Sequence, residues 1–259
     1  MKSAFRHLLP FGFVKASQVA SELQRLGLAK RRAWRLAADP AITRRLQRLN
    51  FDLLPEKALA NLDWVVDVGS HVGDWTADLL ILCPQAHVIC IEPDPSLALG
   101  LRNRFAGNRG IDIHETAVGA EKGTAAFKLM HNPLLNSFRA LTGEVAKYYG
   151  EPLQARAEVM VQVRLLDTLV PPAGRITILK IDAQGLEREV IAGAAKTLLR
   201  TDYVIMEVNF QVHYKGEAGF FELDGLMQSH GFVLGNYSKP RGGQRQAMYA
   251  DALYLRRQG

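Results

Sequence analysis

The sequence predicts an α/β fold: a doubly wound, mostly parallel sheet with helices on both faces and a helical arm ahead of it. Three observations predict it. From Trp64 onward, short β-branched runs alternate with longer amphipathic stretches, the rhythm of strand-helix-strand units. The first unit, WVVDVGSHVGDWT, passes from a buried run through an acid and two spaced glycines into a helix. Acids then recur at the ends of the later runs, as in HVICIE and ITILKID. With 259 residues, 48% of them hydrophobic, the chain is long enough for one large domain with an appendage.

The arm comes first. Residues 1–60 carry 12 Lys and Arg against 4 Asp and Glu, whereas residues 61–259 carry 20 against 22, so the net charge of +6 belongs to the arm. Val19, Leu23, Leu26 and Ala33 recur at helical spacing and predict a helix over 15–36, broken by Asp39-Pro40. Ile42, Leu46 and Leu49 predict a second helix over 41–50. This basic, amphipathic segment reads as a cap on the main domain or on a second subunit, and its charge also permits peripheral contact with a membrane surface.

Residues 61–259 form the main domain. Strands are predicted near 64–68, 87–92 and 111–117, with helices near 74–82 and 95–106 between them. Residues 123–165 break the rhythm: TAAFKLM and EVMVQVRL read as strands flanking a loop with a short helix, an insertion placed to cover a pocket. Asn136, Ser137 and Phe138 are its lid candidates. The second half resumes with a strand near 176–181, a helix over 187–200, a strand near 203–208 and a helix over 219–229. Two strands follow near 231–236 and 246–255, joined by SKPRGGQ.

In open α/β sheets ligands bind outside the carboxyl ends of the strands, which gathers the strand-end acids into one crevice. Asp67, Glu92, Glu115 or Thr116, Asp182 and Glu207 stand there. Gly69 and Gly73 read as a cradle for a nucleotide-like ligand, but Gly-x-x-x-Gly lacks the third glycine of the dinucleotide fingerprint, which argues against a nicotinamide cofactor. Asp67 ahead of the loop would repel a phosphate and attract an ammonium or sulfonium group. His71 lies inside the loop, and His114 reads as a core histidine. His213 reads as a reserve base on the substrate side. No histidine pair has helical metal-ligand spacing, so no metal is predicted; a hard cation held by Asp182 and Glu207 is compatible with the sequence but not required by it.

The segments VVDVGSHVGDWT, IEPDP, ETAVGAEKG, LDTL, ILKIDAQGLEREVIAGA, IMEV and ADALYL resemble, in order, those of the FkbM-type methyltransferases, over about 195 of the 259 residues. The resemblance implies a Rossmann-like seven-stranded sheet whose last strand is antiparallel, with S-adenosyl-L-methionine as cofactor. It implies that Asp67, Gly69, Ser70, His71, Gly73 and Thr76 of the loop, Glu92 and Pro93, Thr116 and Ala117, and Asp182 bind that cofactor. Glu92 would take the ribose. Asp182 and His213 are the catalytic candidates; Glu187 has a structural alternative as a first-turn acid on the helix dipole. The implied reaction is O-methylation of a sugar, glycan or natural-product hydroxyl.

Two other readings remain open. A nucleic-acid methyltransferase would suit the basic arm, but IDAQG stands where an Asn-Pro-Pro-aromatic motif would be expected. A cofactor-binding scaffold without turnover would use the arm as its interaction module. Cys83 and Cys90, both in apolar context, form no disulfide framework, and no apolar run is long enough to span a bilayer, so a reducing, cytoplasmic location is expected.

Overall fold

The computed structural model describes residues 16–39, 41–42, 53–150, 152, 154–243 and 246–257. The chain divides into two compact units, residues 1–62 with 77–86, and residues 63–76 with 87–259.

In the first unit, α1 (Ala16–Arg25) and α2 (Lys30–Ala37) stand where one helix is predicted. The break is at Gly27, whose left-handed backbone (φ +103°) ends α1. Val19, Ala20, Leu23, Leu26 and Ala33 are buried, as their spacing requires. Two arginines tie the unit together. Arg25 donates to the Leu54 carbonyl at 2.7 Å and Arg32 to the Ile81 carbonyl at 3.0 Å. Of the predicted helix over 41–50, residues 43–50, including Leu46 and Leu49, lie outside the described residues.

Beyond the arm the chain runs β1 (Trp64–Val68), α3 (Asp74–Leu82), β2 (His87–Ile91), α4 (Pro95–Arg104), β3 (Ile111–His114), β4 (Ala117–Val118), β5 (Gly123–Leu129), α5 (Gly143–Tyr149) and β6 (Ala157–Arg164). It continues through β7 (Ile176–Ile181), α6 (Glu187–Ala192), α7 (Ala195–Leu199), β8 (Thr201–Asn209), α8 (Phe220–Ser229), β9 (Phe232–Tyr237), β10 (Arg241–Gly243) and β11 (Gln246–Arg256). The main sheet has the order β10-β11-β8-β7-β1-β2-β3, with β9 also paired to β11. β3, β2, β1, β7 and β8 are parallel, and β11 is antiparallel to β8. This is the expected seven-stranded sheet with its antiparallel closing strand, extended by the short β10.

The parallel strands are buried on successive residues, hence on both faces: Val65, Val66, Asp67 and Val68 in β1, and Ile176 to Leu179 in β7. One core joins Val66, Ile89, Leu179, Val204 and Ala252 of the sheet to Val190, Leu198, Leu223 and Met227 of the helices.

Two predicted elements of the main domain are also divided in the fold. The strand over 111–117 leaves the main sheet after His114, and β4 pairs with β6 in a second sheet, β4-β6-β5. The Thr116 hydroxyl, donating to the Gln162 carbonyl at 2.9 Å, fixes that departure. The helix over 187–200 is two helices, because Asp167 caps the second from outside: its carboxylate accepts from the Lys196 N–H (2.9 Å), the Thr197 N–H (2.7 Å) and the Thr197 hydroxyl (2.7 Å).

Candidate functional site

The chain lays β2 and β3 on one side of β1 and returns to lay β7 and β8 on the other, so the topological switch falls between β1 and β7. A cleft of about 630 Å³, counting space open to solvent, lies at these strand ends. Its lining includes Val68, Gly69, His71, Glu92, Pro93, Thr116, Ala117 and Asp182, together with Asn136 and Phe138 of the insertion. Seven of the residues expected from the sequence to bind the cofactor, Gly69, His71, Glu92, Pro93, Thr116, Ala117 and Asp182, therefore meet in one cleft.

Close backbone approach builds the cleft wall. Gly69 has φ +76°, and a Cβ there would fall 1.9 Å from the Asp182 carbonyl oxygen, so only glycine lets the loop after β1 pass the end of β7. The Asp182 N–H donates to the Val68 carbonyl at 3.1 Å, which carries the β1-β7 pairing as far as the site.

Glu92 is anchored from both sides, accepting from the His71 N–H at 2.8 Å and the Asp94 N–H at 2.9 Å. Burial pushes its carboxyl up to about 7, against the effect of those two hydrogen bonds. His71 holds a left-handed backbone (φ +50°), and its Nε2 is buried with no partner among the described residues. Burial lowers its pKa, so the ring is neutral at pH 7.

Other residues named from the sequence prove to be internal struts. Asp67 is fully buried and its oxygens are taken by the Thr76 hydroxyl (2.8 Å) and the Lys180 ammonium (3.1 Å), so its charge faces a lysine of this chain rather than a ligand cation. Burial opposes that ammonium, but Asp67 and Asp182 outweigh it and raise the Lys180 pKa. The Ser70 hydroxyl donates to the Asp67 carbonyl and accepts from the Ile91 N–H, tying the loop to β2. Gly73 packs against Leu101 and Phe105. His213 is not among the cleft-lining residues; it is buried, stands edge-on to Tyr249 at 5.6 Å, and burial lowers its pKa to about 4.

At the end of β7 the turn 182–185 is held on all sides. Glu187 is buried and accepts from the Ala183 N–H (3.0 Å) and the Gly185 N–H (3.3 Å), and burial pushes its carboxyl up to about 7. It caps the turn, in line with its structural alternative. From the insertion, the Ser137 hydroxyl donates to the Gln184 carbonyl (2.7 Å) and Arg139 Nε to the Gly185 carbonyl (2.8 Å). Asn136 reaches the other wall, donating to Asp94 at 3.1 Å. The insertion thus bridges the ends of β2 and β7 across the cleft.

Asp182 faces Lys180 at 3.6 Å, and its side chain is 35% exposed. Burial, then the carboxylates of Asp182, Asp251 and Glu187, raise Glu207 well above the usual carboxylate range. Among the described residues, no group of His, Cys, Asp and Glu is arranged to hold a metal ion, and no helix is long and apolar enough to cross a membrane.

Two participants were not singled out from the sequence, although Gln184 lies inside the ILKIDAQGLEREVIAGA segment. Gln184 Nε2 donates to Asp182 Oδ1 at 2.8 Å, and the Tyr214 hydroxyl donates to Gln184 Oε1 at 2.6 Å. Tyr214 follows Gln184 by 30 positions, outside any motif.

A relative in Sinorhizobium fredii (strain NBRC 101917 / NGR234), 2-O-methyltransferase NoeI, is 27% identical over 162 residues, 59% of this chain and 66% of that protein. Methyltransferase 1 of Beauveria bassiana (strain ARSEF 2860) is 29% identical over 149 residues, 50% of this chain and 57% of that protein. The chain therefore spans less than two thirds of the length of either relative. Among solved structures, the magnesium protoporphyrin IX methyltransferase of Synechocystis PCC 6803 with bound SAM matches with a TM-score of 0.44 at 10% identity, covering 98% of this chain and 88% of that one. A SAM-dependent methyltransferase of Leishmania major matches with a TM-score of 0.47 at 9% identity, covering 92% and 82%. The model of the methyltransferase FkbM domain matches residues 67–234. The chain belongs to the FkbM family of S-adenosylmethionine-dependent methyltransferases.

Proposed function

We propose that this chain methylates a hydroxyl group of a sugar, glycan or related polyhydroxylated natural product. The observation that carries the reading is the partly open Asp182 carboxylate, on a residue whose main chain passes against Gly69, while the neighbouring Asp67 is buried and paired. The relative whose printed name is a 2-O-methyltransferase supports oxygen as the acceptor atom.

The cleft suits the cofactor. Glu92 offers a doubly anchored carboxylate to the ribose hydroxyls, and aliphatic Val68, Ile91, Leu97 and Val118 offer an apolar bed for the base. The orphaned His71 Nε2 is a polar group in need of a partner there. When bound, S-adenosylmethionine supplies a methyl group already activated by its sulfonium. The residues of this chain have two tasks: to hold the acceptor hydroxyl in line and to accept its proton. Positioning supplies roughly 7–11 kcal/mol of such a barrier. We assign both tasks to Asp182. Replacing Asp182 with Asn should lower turnover on labelled S-adenosylmethionine and a sugar acceptor by about 10²- to 10⁴-fold while leaving S-adenosylhomocysteine affinity largely intact. Near-normal turnover would overturn the assignment.

A second reading concerns the arm. On α2, Lys30, Arg31, Trp34 and Arg35 are exposed, Trp34 at 45%, and none of the three cations has a carboxylate partner among the described residues. Cations in the first turn of a helix oppose its dipole, so helix stability does not account for them. An exposed tryptophan among cations suits an anionic lipid surface. The full chain should sediment with phosphatidylglycerol vesicles and not with neutral ones, and an Arg31→Glu, Arg35→Glu variant should lose that binding; oligonucleotide binding without vesicle binding would overturn the lipid reading. With two free cysteines and no disulfide, we infer a reducing, cytoplasmic location.

A further inference from the structure

We propose that Gln184 is a positioning residue for methyl transfer, holding the Asp182 carboxylate in one orientation, and that Tyr214 fixes Gln184 in turn. The inference rests on the reading of Asp182 as the group that orients the acceptor. It is carried by a chain of three side chains, two of which, Asp182 and Gln184, line the cleft, while the third, Tyr214, is fully buried.

The hydrogen-bond directions along this chain are determined by the chemistry of its members. The amide nitrogen of Gln184 donates to Asp182 Oδ1, 2.8 Å away. The amide oxygen therefore faces Tyr214, whose phenol must be the donor at 2.6 Å. Tyr214 is fully buried, and burial followed by the nearby carboxylates of Glu207 and Glu187 raises its pKa well above the ordinary value, so it stays protonated and keeps donating. The second Asp182 oxygen faces the Lys180 ammonium at 3.6 Å. One carboxylate oxygen thus has an amide donor on the 182–185 turn, and the other an ion-pair partner on β7.

The backbone of the turn is arranged for this contact. Gln184 adopts φ +50°, a left-handed conformation that a residue with a long side chain rarely takes without a compensating interaction. The turn is pinned independently, by Glu187 on its N–H groups and by Ser137 and Arg139 on its carbonyls. Those contacts fix the main chain whatever the side chain at 184 is. Gly185 leaves room for the Tyr214 ring, which a Cβ would meet at 3.0 Å. A glutamine is therefore not required for the turn to form; its amide serves the carboxylate.

The test uses the full-length protein with labelled S-adenosylmethionine and a panel of methyl glycosides. Gln184→Met keeps length and removes both hydrogen bonds. It should lower kcat about 10- to 100-fold with S-adenosylhomocysteine affinity by calorimetry close to wild type; it also leaves the buried Tyr214 hydroxyl without an acceptor, so the melting temperature should fall somewhat and recover when Tyr214→Phe is added. Tyr214→Phe should lower kcat in the same direction, and the Gln184→Met, Tyr214→Phe double variant should be no slower than Gln184→Met alone, since Tyr214 acts through Gln184. Crystals of Gln184→Met with S-adenosylhomocysteine should show the Asp182 carboxylate in more than one orientation. Wild-type kcat in Gln184→Met, additive losses in the double variant, or a single unchanged Asp182 orientation would each overturn the inference. If Gln184→Met is as fast as wild type while Asp182→Asn is slow, only this inference fails; if Asp182→Asn is also fast, the assignment of Asp182 fails with it.

Discussion

Glu92 shows how one side chain links burial to binding. Its carboxyl titrates near 7 because burial disfavours the charge more than two N–H donors favour it. Ligand hydroxyls donate best to the ionised form, so cofactor binding should release a proton below that pH. Affinity for S-adenosylhomocysteine should be level above pH 7 and fall below it by up to about tenfold per pH unit, equivalent to about 1.4 kcal/mol. Calorimetry from pH 5.5 to 8.5 checks this, with Glu92→Ala losing about 1.5–3 kcal/mol at pH 8. A pH-independent affinity in the wild type would remove Glu92 from the ribose. The same shift acts on folding with the opposite trend: Glu92 and Glu187 bind their protons more tightly folded than unfolded, so their share of stability is greatest near pH 4.5, falls as pH rises to about 7, and is level beyond. Glu92 was legible in the sequence because an acid closing an apolar run needs a purpose at a strand end. The true partner of Asp67 was not, because Lys180 stands 113 positions away and only the register of β1 on β7 brings the two together.

At the scale of elements, the strands were the easiest to read and the helix boundaries the hardest. A parallel strand buried on both faces is a continuous apolar run, visible one residue at a time. The division of the helix over 187–200 depends on Asp167, whose carboxylate caps α7 from 29 and 30 positions upstream, a relation that no local pattern contains. The cap also accounts for the LDTL segment: its aspartate faces the start of α7 while Leu166 and Leu169 are buried in the core beneath. Asp167→Ala removes an acceptor from three donors at once and should cost about 1–2 kcal/mol, the upper part of the range for N-caps. Urea unfolding monitored by circular dichroism reads this as a lower midpoint with an unchanged slope. Asp167→Asn should retain part of the difference, and an alanine variant as stable as wild type would mean that α7 holds its end unaided. The insertion was legible as an interruption of the strand-helix rhythm. Its contacts with the ends of β2 and β7 were not, because Asn136, Ser137 and Arg139 reach backbone and side chains more than 40 positions away.

For the whole molecule the open question is what the arm contributes to the fold. Its charge set it apart in the sequence, whereas its packing partner was invisible there: the first unit combines the arm with residues 77–86, the later part of α3 and the turn after it. Arg32 bonds the Ile81 carbonyl, and the Cys83 thiol approaches the Leu59 carbonyl at 3.7 Å, both within that unit. Leu54, Leu79 and Leu82, 1%, 0% and 1% exposed, belong to the same unit. Removing residues 1–50 takes away α1 and α2 with their buried Val19, Leu23, Leu26 and Ala33, and leaves the remaining leucines short of neighbours. Returning a buried leucine to water costs about 1.5–3 kcal/mol, so even two of them consume a large share of a typical domain's 5–15 kcal/mol. The truncated chain should melt earlier and associate on light scattering, because bared apolar surface seeks a new partner. A fragment of residues 51–259 that stays monodisperse and melts with the full chain would show that α3 needs no cover from the arm, and would leave surface binding as the arm's remaining role.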